Sequence, residues 1–275
     1  MIQIENLNFS YGKNSVFNNL SLTLEPGRIY GLLGENGVGK TTLLKIMSGL
    51  LFPDNGKCIA DSRVPSKREP EFLSSICFLP EDIYSPNIKV NEYASKRGSF
   101  YPTYSHDLFL QYMDLLETDP GKRFGSLSFG QKKKAHIAFS FASGTKYIFM
   151  DEPGNGLDIP SKTQFRKIIT SAADDNTCIV ISTHQVRDLE NIIDPIIILD
   201  KNQVLLNASI EKIGSALSFK FNERADSAAI YNEQTPGGYI SVSKNTDGEE
   251  QVVNIEALFN CVINNKKIIS EIFNK

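Results

Sequence analysis

Cysteine is scarce in this chain, basic charge is not in excess, and no apolar run approaches membrane-spanning length. Each absence narrows what the protein can be. The four cysteines, Cys58, Cys77, Cys178 and Cys261, stand far apart with no C-x-x-C pair. Buried reduced thiols fit them better than a disulfide framework or a metal knuckle. The net charge of −3 lacks the basic surplus usual in nucleic-acid binders, and the triplet Lys132-Lys133-Lys134 is too short to supply one. No nucleic-acid partner is expected. A bilayer span needs about 20 apolar residues; the uninterrupted candidates, 178–181 and 196–199, hold four each. The opening residues Met1-Ile2-Gln3-Ile4-Glu5 have neither the basic flank nor the apolar core of a secretion signal. A cytoplasmic protein is the expectation.

What is present describes a globular chain. Hydrophobic residues at 41% and charged residues at 22% match soluble domains, and 275 residues allow one large domain with a modest appendage. Residues 2–11 and 16–24 read as an antiparallel pair around the turn-like Gly12-Lys13-Asn14. Residues 28–33 read as a short buried strand after the turn Glu25-Pro26-Gly27, and 41–49 as a helix. Apolar runs at 147–150, 178–182 and 196–199, with helical stretches between them, predict a mostly parallel, covered sheet. Residues from about 87 to 141 lack strand runs and read as a helical insertion, with helices over 107–116 and 131–142. Beyond about residue 210 the pattern shifts to short strands at 217–221, 239–242 and 252–255, around the turn Pro236-Gly237-Gly238. Ile255, Leu258, Phe259, Val262 and Ile263 form one helical stripe, which reads as packed core.

Three segments carry chemistry. Gly34, Glu35, Asn36, Gly37, Val38, Gly39, Lys40 and Thr41, followed by Thr42, fit G-x-x-x-x-G-K-[ST] between a predicted strand and a predicted helix. The glycines let backbone N–H groups converge on phosphate oxygens, and the helix adds its positive N-terminal end. Lys40 should reach the β- and γ-phosphates of a nucleoside triphosphate, and the Thr41 hydroxyl should ligate Mg²⁺. Second, four apolar residues run into Asp151-Glu152, which places two carboxylates at the C-terminal end of a buried strand. Asp151 would help hold Mg²⁺, and Glu152 would act as general base on the attacking water. Acids also end strands simply to meet solvent; the phosphate loop gives these two their weight. Third, Leu127-Ser128-Phe129-Gly130-Gln131 precedes a helical run, where Ser128 is by itself a good N-cap.

The order of these segments, over roughly residues 1–210, closely resembles the ATP-binding cassette family, whose signature reads Leu-Ser-Gly-Gly-Gln between the phosphate loop and the acidic strand. The resemblance implies an α/β cassette with a mostly parallel core sheet, an antiparallel β subdomain, the helical insertion and a small α+β C-terminal appendage at 211–275. It implies that Tyr11 stacks on adenine, that Glu81 stands where a glutamine usually contacts Mg²⁺ and water, and that His184 contacts the γ-phosphate. Asn155-Gly156-Leu157-Asp158 resembles the loop that couples two cassettes. Ser128, Gly130 and Gln131 would cap the nucleotide of a second cassette, so a head-to-tail homodimer, or a heterodimer with a related cassette, is implied. Two departures stand out: Glu81 carries a charge, and Phe129 replaces the first signature glycine. The expected activity is ATP hydrolysis that drives a separate membrane permease, exporter-like, from the inner face of the cell membrane. The alternative is an ATP-driven switch acting on ribosomes or nucleic acid. A simple P-loop kinase would not account for the signature segment, Asp151-Glu152 and His184 together.

Overall fold

The computed structural model describes residues 1–186, 189–246 and 251–273. Strands β1 (Ile2–Tyr11) and β2 (Asn14–Leu24) pair antiparallel across the Gly12-Lys13 turn. Strand β3 (Arg28–Leu33) then runs into the glycine loop and helix α1 (Lys40–Met47). Strand β4 (Asn55–Ala60) returns to pair with β1, closing a three-stranded antiparallel sheet that sequence patterning left one strand short. Helix α2 (Pro70–Leu73) and strand β5 (Ile76–Leu79) lead to the helical segment, made of α3 (Val90–Gly98), α4 (His106–Leu115) and α5 (Phe129–Ala142).

Next come β6 (Tyr147–Asp151), α6 (Ile159–Ala172), β7 (Cys178–Thr183), β8 (Ile196–Asp200) and β9 (Gln203–Ala208). The main sheet has the order β5-β6-β7-β3-β8-β9, with every pair parallel except β8–β9. Its central strands are buried on both faces, as a doubly covered sheet requires. Alternation along each strand sorts the side chains into two layers. Tyr147, Phe149, Val180 and Leu199 face α1 and the antiparallel sheet. Ile148, Met150, Ile181 and Ile198 face the remaining helices. All four cysteines are buried free thiols, as the spacing predicts.

The C-terminal residues build α7 (Ile210–Ala216), β10 (Leu217–Asn222), β11 (Tyr231–Thr235), β12 (Gly238–Lys244), α8 (Ile255–Asn264) and α9 (Lys266–Phe273). The sheet order is β10-β12-β11. The strand expected at 252–255 is absent: Asn254 instead caps α8, its side chain accepting from the Ala257 N–H, so Ile255 opens a helix. The apolar stripe of α8 is core, with Ile255, Leu258 and Val262 buried in the same cluster as Ile196, Ile198 and Leu206. The Lys266 ammonium pairs with buried Asp200 at the end of β8, tying α9 to the main sheet. Among the described residues no helix is long and apolar enough to cross a membrane.

Candidate functional site

The glycine loop owes its shape to two left-handed residues, Gly37 at φ +82° and Gly39 at φ +108°. Nothing lies within 4 Å of where a Gly37 Cβ would stand, so that face of the loop is open. A Cβ on Gly39 would meet Val16 Cγ1 at 2.8 Å and the Phe17 ring at 2.9 Å, so the loop rests directly on β2. Gly34 is equally confined, by the Leu199 carbonyl and Val38 Cγ2, both 2.7 Å from its notional Cβ. Lys40 is buried at the start of α1 and donates to the carbonyls of Gly34 at 2.7 Å and Glu35 at 3.1 Å. Burial lowers its pKa, against the nearby carboxylates of Glu152, Asp151 and Glu81, which hold the charge in place.

The parallel register of β6 between β5 and β7 delivers the acids to this loop. Thr41 Oγ1 donates to Asp151 Oδ2 at 2.6 Å, and Ser182 Oγ on β7 donates to Asp151 Oδ1 at 2.6 Å. Glu152 is buried, and its backbone takes the left-handed conformation at φ +46°, which is strained for a residue with a Cβ. Its N–H donates to both Ser182 O and Ser182 Oγ at 3.1 Å, which holds that conformation. His184 Nδ1 lies 2.9 Å from Glu152 Oε1, and Lys40 Nζ lies 4.0 Å from the same oxygen.

These groups share a cleft of about 460 Å³, lined by Tyr11, Asn36, Gly37, Lys40, Thr41, Thr42, Asp151, Glu152, His184 and Glu81 among others. Tyr11 is half exposed at its mouth, braced edge-on by Phe9 at 4.9 Å, with its hydroxyl 3.4 Å from Thr42 Oγ1. A larger groove of about 920 Å³ is lined by β10, β12 and residues 190–194 and 251–255, and mixes Ile193, Phe219 and Ile240 with Glu190 and Asp194, with no lysine or arginine among its lining residues. Size does not mark the site; the convergence of loop, ammonium and carboxylates does.

Ser128, Gly130 and Gln131 are not among the residues lining this cleft. They form the start of α5 as a capping box: Ser128 Oγ accepts from the Gln131 N–H at 3.2 Å, and Gln131 Oε1 accepts from the Ser128 N–H at 3.1 Å. The Phe129 ring is exposed and rests on Gly156, whose notional Cβ would meet it at 2.7 Å. Glu81 lines the cleft, yet its carboxylate accepts from Asn155 Nδ2 at 2.9 Å. The three-lysine run conceals one residue that composition treats as solvated charge. Lys133 is fully buried and donates to the Glu152 carbonyl at 2.9 Å. Helical spacing, which puts Lys133 on the face of Ile137 and Phe141, is the one sequence signal that could have found it.

The site fits a nucleoside triphosphate with magnesium. The open face of Gly37 suits phosphate oxygens, and Lys40 suits their charge. No cluster of three or more His, Cys, Asp or Glu side chains could hold a metal among the described residues. Magnesium does not need one, because it commonly takes one or two protein oxygens and completes its shell with water and substrate phosphates. The adjacent Thr41 hydroxyl and Asp151 carboxylate are oxygens of that kind.

The ABC transporter family matches residues 17–155, which include Lys40, Glu81, Ser128 and Glu152. The chain belongs to that family. It is 31% identical over 210 residues to the ABC transporter ATP-binding protein YtrB of Bacillus subtilis, covering 74% of this chain and 70% of the relative. It is 32% identical over 211 residues to the lantibiotic transport ATP-binding protein SrtF of Streptococcus pyogenes, covering 75% of this chain and 90% of the relative. A dimeric bacterial ABC transporter cassette matches with a TM-score of 0.68 at 20% identity, over 76% of this chain and 98% of its own, a likeness of fold. The fold is therefore that of an ABC ATPase cassette, and the chain is an ATP-binding subunit of this transporter family.

Proposed function

We propose that this ABC subunit binds and hydrolyses Mg-ATP and drives a separate membrane permease through ATP-dependent closure of two copies, head to tail. The observation that carries the hydrolytic part is the buried Glu152 carboxylate, 2.9 Å from His184 Nδ1 and 4.0 Å from Lys40 Nζ in the cleft of the phosphate loop. A carboxylate so placed can take the proton of an attacking water at Oε1, while His184 Nδ1 orients it. Lys40 would leave its two carbonyl partners for phosphate oxygens, where a positive charge stabilises the charge that develops on transfer. Thr41 and Asp151 would hold the magnesium, with Glu81 within the same cleft. Bound there, magnesium would neutralise charge on the phosphates. Tyr11 would carry the adenine.

The off-cleft position of Ser128, Gly130 and Gln131 supports the two-chain part, because these residues are left to face a nucleotide held by another copy. Residues 1–210 form the ATPase body in this reading, with the insertion at about 87–141, and 211–275 the appendage. The permease segment would dock in an apolar groove of about 510 Å³ beside β5 and α3, lined by Leu50, Leu73, Phe78, Phe100 and Tyr101. That groove adjoins the strand that leads to Glu81, so occupancy of the cleft can be felt there. The likeness to a lantibiotic transport protein supports an exporter-like direction and a place at the inner face of the cell membrane.

The test has two arms. The tagged native protein should co-purify from membranes with an integral membrane protein; failure to find one in any detergent sinks the transport reading. Glu152→Gln should bind Mg-ATP, accumulate as a dimer on size-exclusion chromatography, and lose turnover by roughly 10²- to 10⁴-fold. Undiminished hydrolysis would remove Glu152 from its role.

A further inference from the structure

Lys133 lies between two half-buried neighbours, Lys132 and Lys134, yet is itself 0% exposed. Its ammonium donates to the Glu152 carbonyl at 2.9 Å and reaches the Glu81 carbonyl at 3.5 Å. Taking an ammonium out of water is costly, and an apolar side chain of similar volume would fill the same helix face without that cost. The surrounding carboxylates of Glu81, Asp151, Glu152 and Asp82 favour the charge but are not its direct partners. Its hydrogen bonds go to backbone, at the two acids that matter to the cleft.

The backbone it holds needs holding. Glu152 sits at φ +46°, and its carbonyl accepts from the Asn155 N–H at 3.2 Å as well as from Lys133. A second, separate contact joins the same parts. The Phe129 ring lies on Gly156, a Gly130 Cβ would stand 2.9 Å from the Gly156 carbonyl, and Asn155 Nδ2 donates to Glu81 Oε1 at 2.9 Å. The N-terminal turn of α5 is thus fastened to Glu152, to Glu81 and to the loop between β6 and α6. Both of the chain's motif departures, Glu81 and Phe129, belong to this fastening.

We propose that Lys133 is a positioning residue that fixes the backbone of Glu152 and Glu81, so that the helix presenting Ser128 to a second copy is mechanically continuous with the acids of its own cleft. This rests on the ATPase reading above. Movement of α5 when Ser128 meets a partner's nucleotide would shift the Glu152 carboxylate of the same chain. Each site would then be set by the occupancy of the other.

Steady-state hydrolysis and Mg-ATP binding by the full chain test it. Lys133→Met removes the donor while keeping length and apolar volume; the Glu152 carbonyl keeps its Asn155 partner, so the fold should persist. The variant should lose roughly tenfold or more in kcat, hold its ATP dissociation constant within about twofold, and keep the wild-type unfolding midpoint. Lys133→Gln, whose amide can donate to the same carbonyls, should recover part of the turnover. Wild-type kcat in Lys133→Met overturns the assignment, as does an equal fall in binding and turnover with a lowered unfolding midpoint. If the methionine variant does not fold, Lys133→Gln decides: a lower kcat at unchanged KM supports the role, and a raised KM at unchanged kcat overturns it. A wild-type chain that binds no Mg-ATP defeats the ATPase reading itself, and is told apart by needing no variant.

Discussion

His136, on the same helix as Lys133, shows how burial sets the chemistry of a single side chain. Its Nε2 lies 2.9 Å from Ser85 Oγ, its Nδ1 3.4 Å from Tyr93 Oη, and its ring stacks on Phe124 at 5.1 Å. Burial, helped by the positive charges of Arg97 and Lys133, pushes its pKa from 6.5 to about 3. Between those values the unfolded chain binds a proton that the folded chain refuses, so stability rises with pH. The contribution is whole above pH 6.5 and is lost as pH falls toward 3. From pH 7.5 to 5.5 the wild type should therefore lose about 1.4 kcal/mol more than a His136→Gln variant. Urea unfolding at the two pH values measures the difference; equal losses would mean that the imidazole is not held neutral.

At the scale of elements, α5 begins on a residue with two duties. Ser128 caps the helix through the Gln131 N–H, and in the proposed dimer it faces a second copy's phosphates. Ser128→Ala should lower stability by about 1 kcal/mol through the lost cap. Ser128→Asp caps as well as serine but brings a negative charge to a phosphate contact. It should keep the urea midpoint and abolish hydrolysis; full activity in the aspartate variant would confine Ser128 to capping. The elements themselves were unevenly legible. The strand β6 announced itself because four apolar residues end in two acids, and the glycine loop because its chemistry is contiguous. The edge strand β9, two of its six residues exposed, lacks a run apolar enough to stand out, whereas β5 carries four apolar residues as β6 does but runs into Pro80 rather than directly into acids. Residues 252–255 read as a strand because two valines precede an isoleucine, yet the Asn254 cap decided otherwise. Within the site, Lys40, Thr41 and Asp151 were readable from local motifs. The burial of Lys133 leaves only its helical spacing with Ile137 and Phe141 as a local sign, and the Glu81–Asn155 bond, between residues 74 positions apart, has none.

At the scale of the whole molecule, the C-terminal appendage does not own a separate core. Leu258, Val262 and Ile269 share one cluster with Ile196, Ile198 and the helices behind the sheet. Cassette and appendage should therefore unfold together. Leu258→Ala, at a fully buried position, should cost about 3 kcal/mol and shift a single transition followed by both far-ultraviolet dichroism and loss of ATP binding. Two separated transitions would show that the halves are energetically independent.

The Ser128 turn and the Lys40 cleft are different places on one chain, and the proposed head-to-tail pairing gives that separation a consequence for inheritance. A cell carrying one allele damaged at Lys40 and another damaged at Ser128 would assemble some mixed pairs in which both lesions fall on the same composite site. The opposite site in each such pair would be intact. Two alleles broken at the same position could never complement in this way.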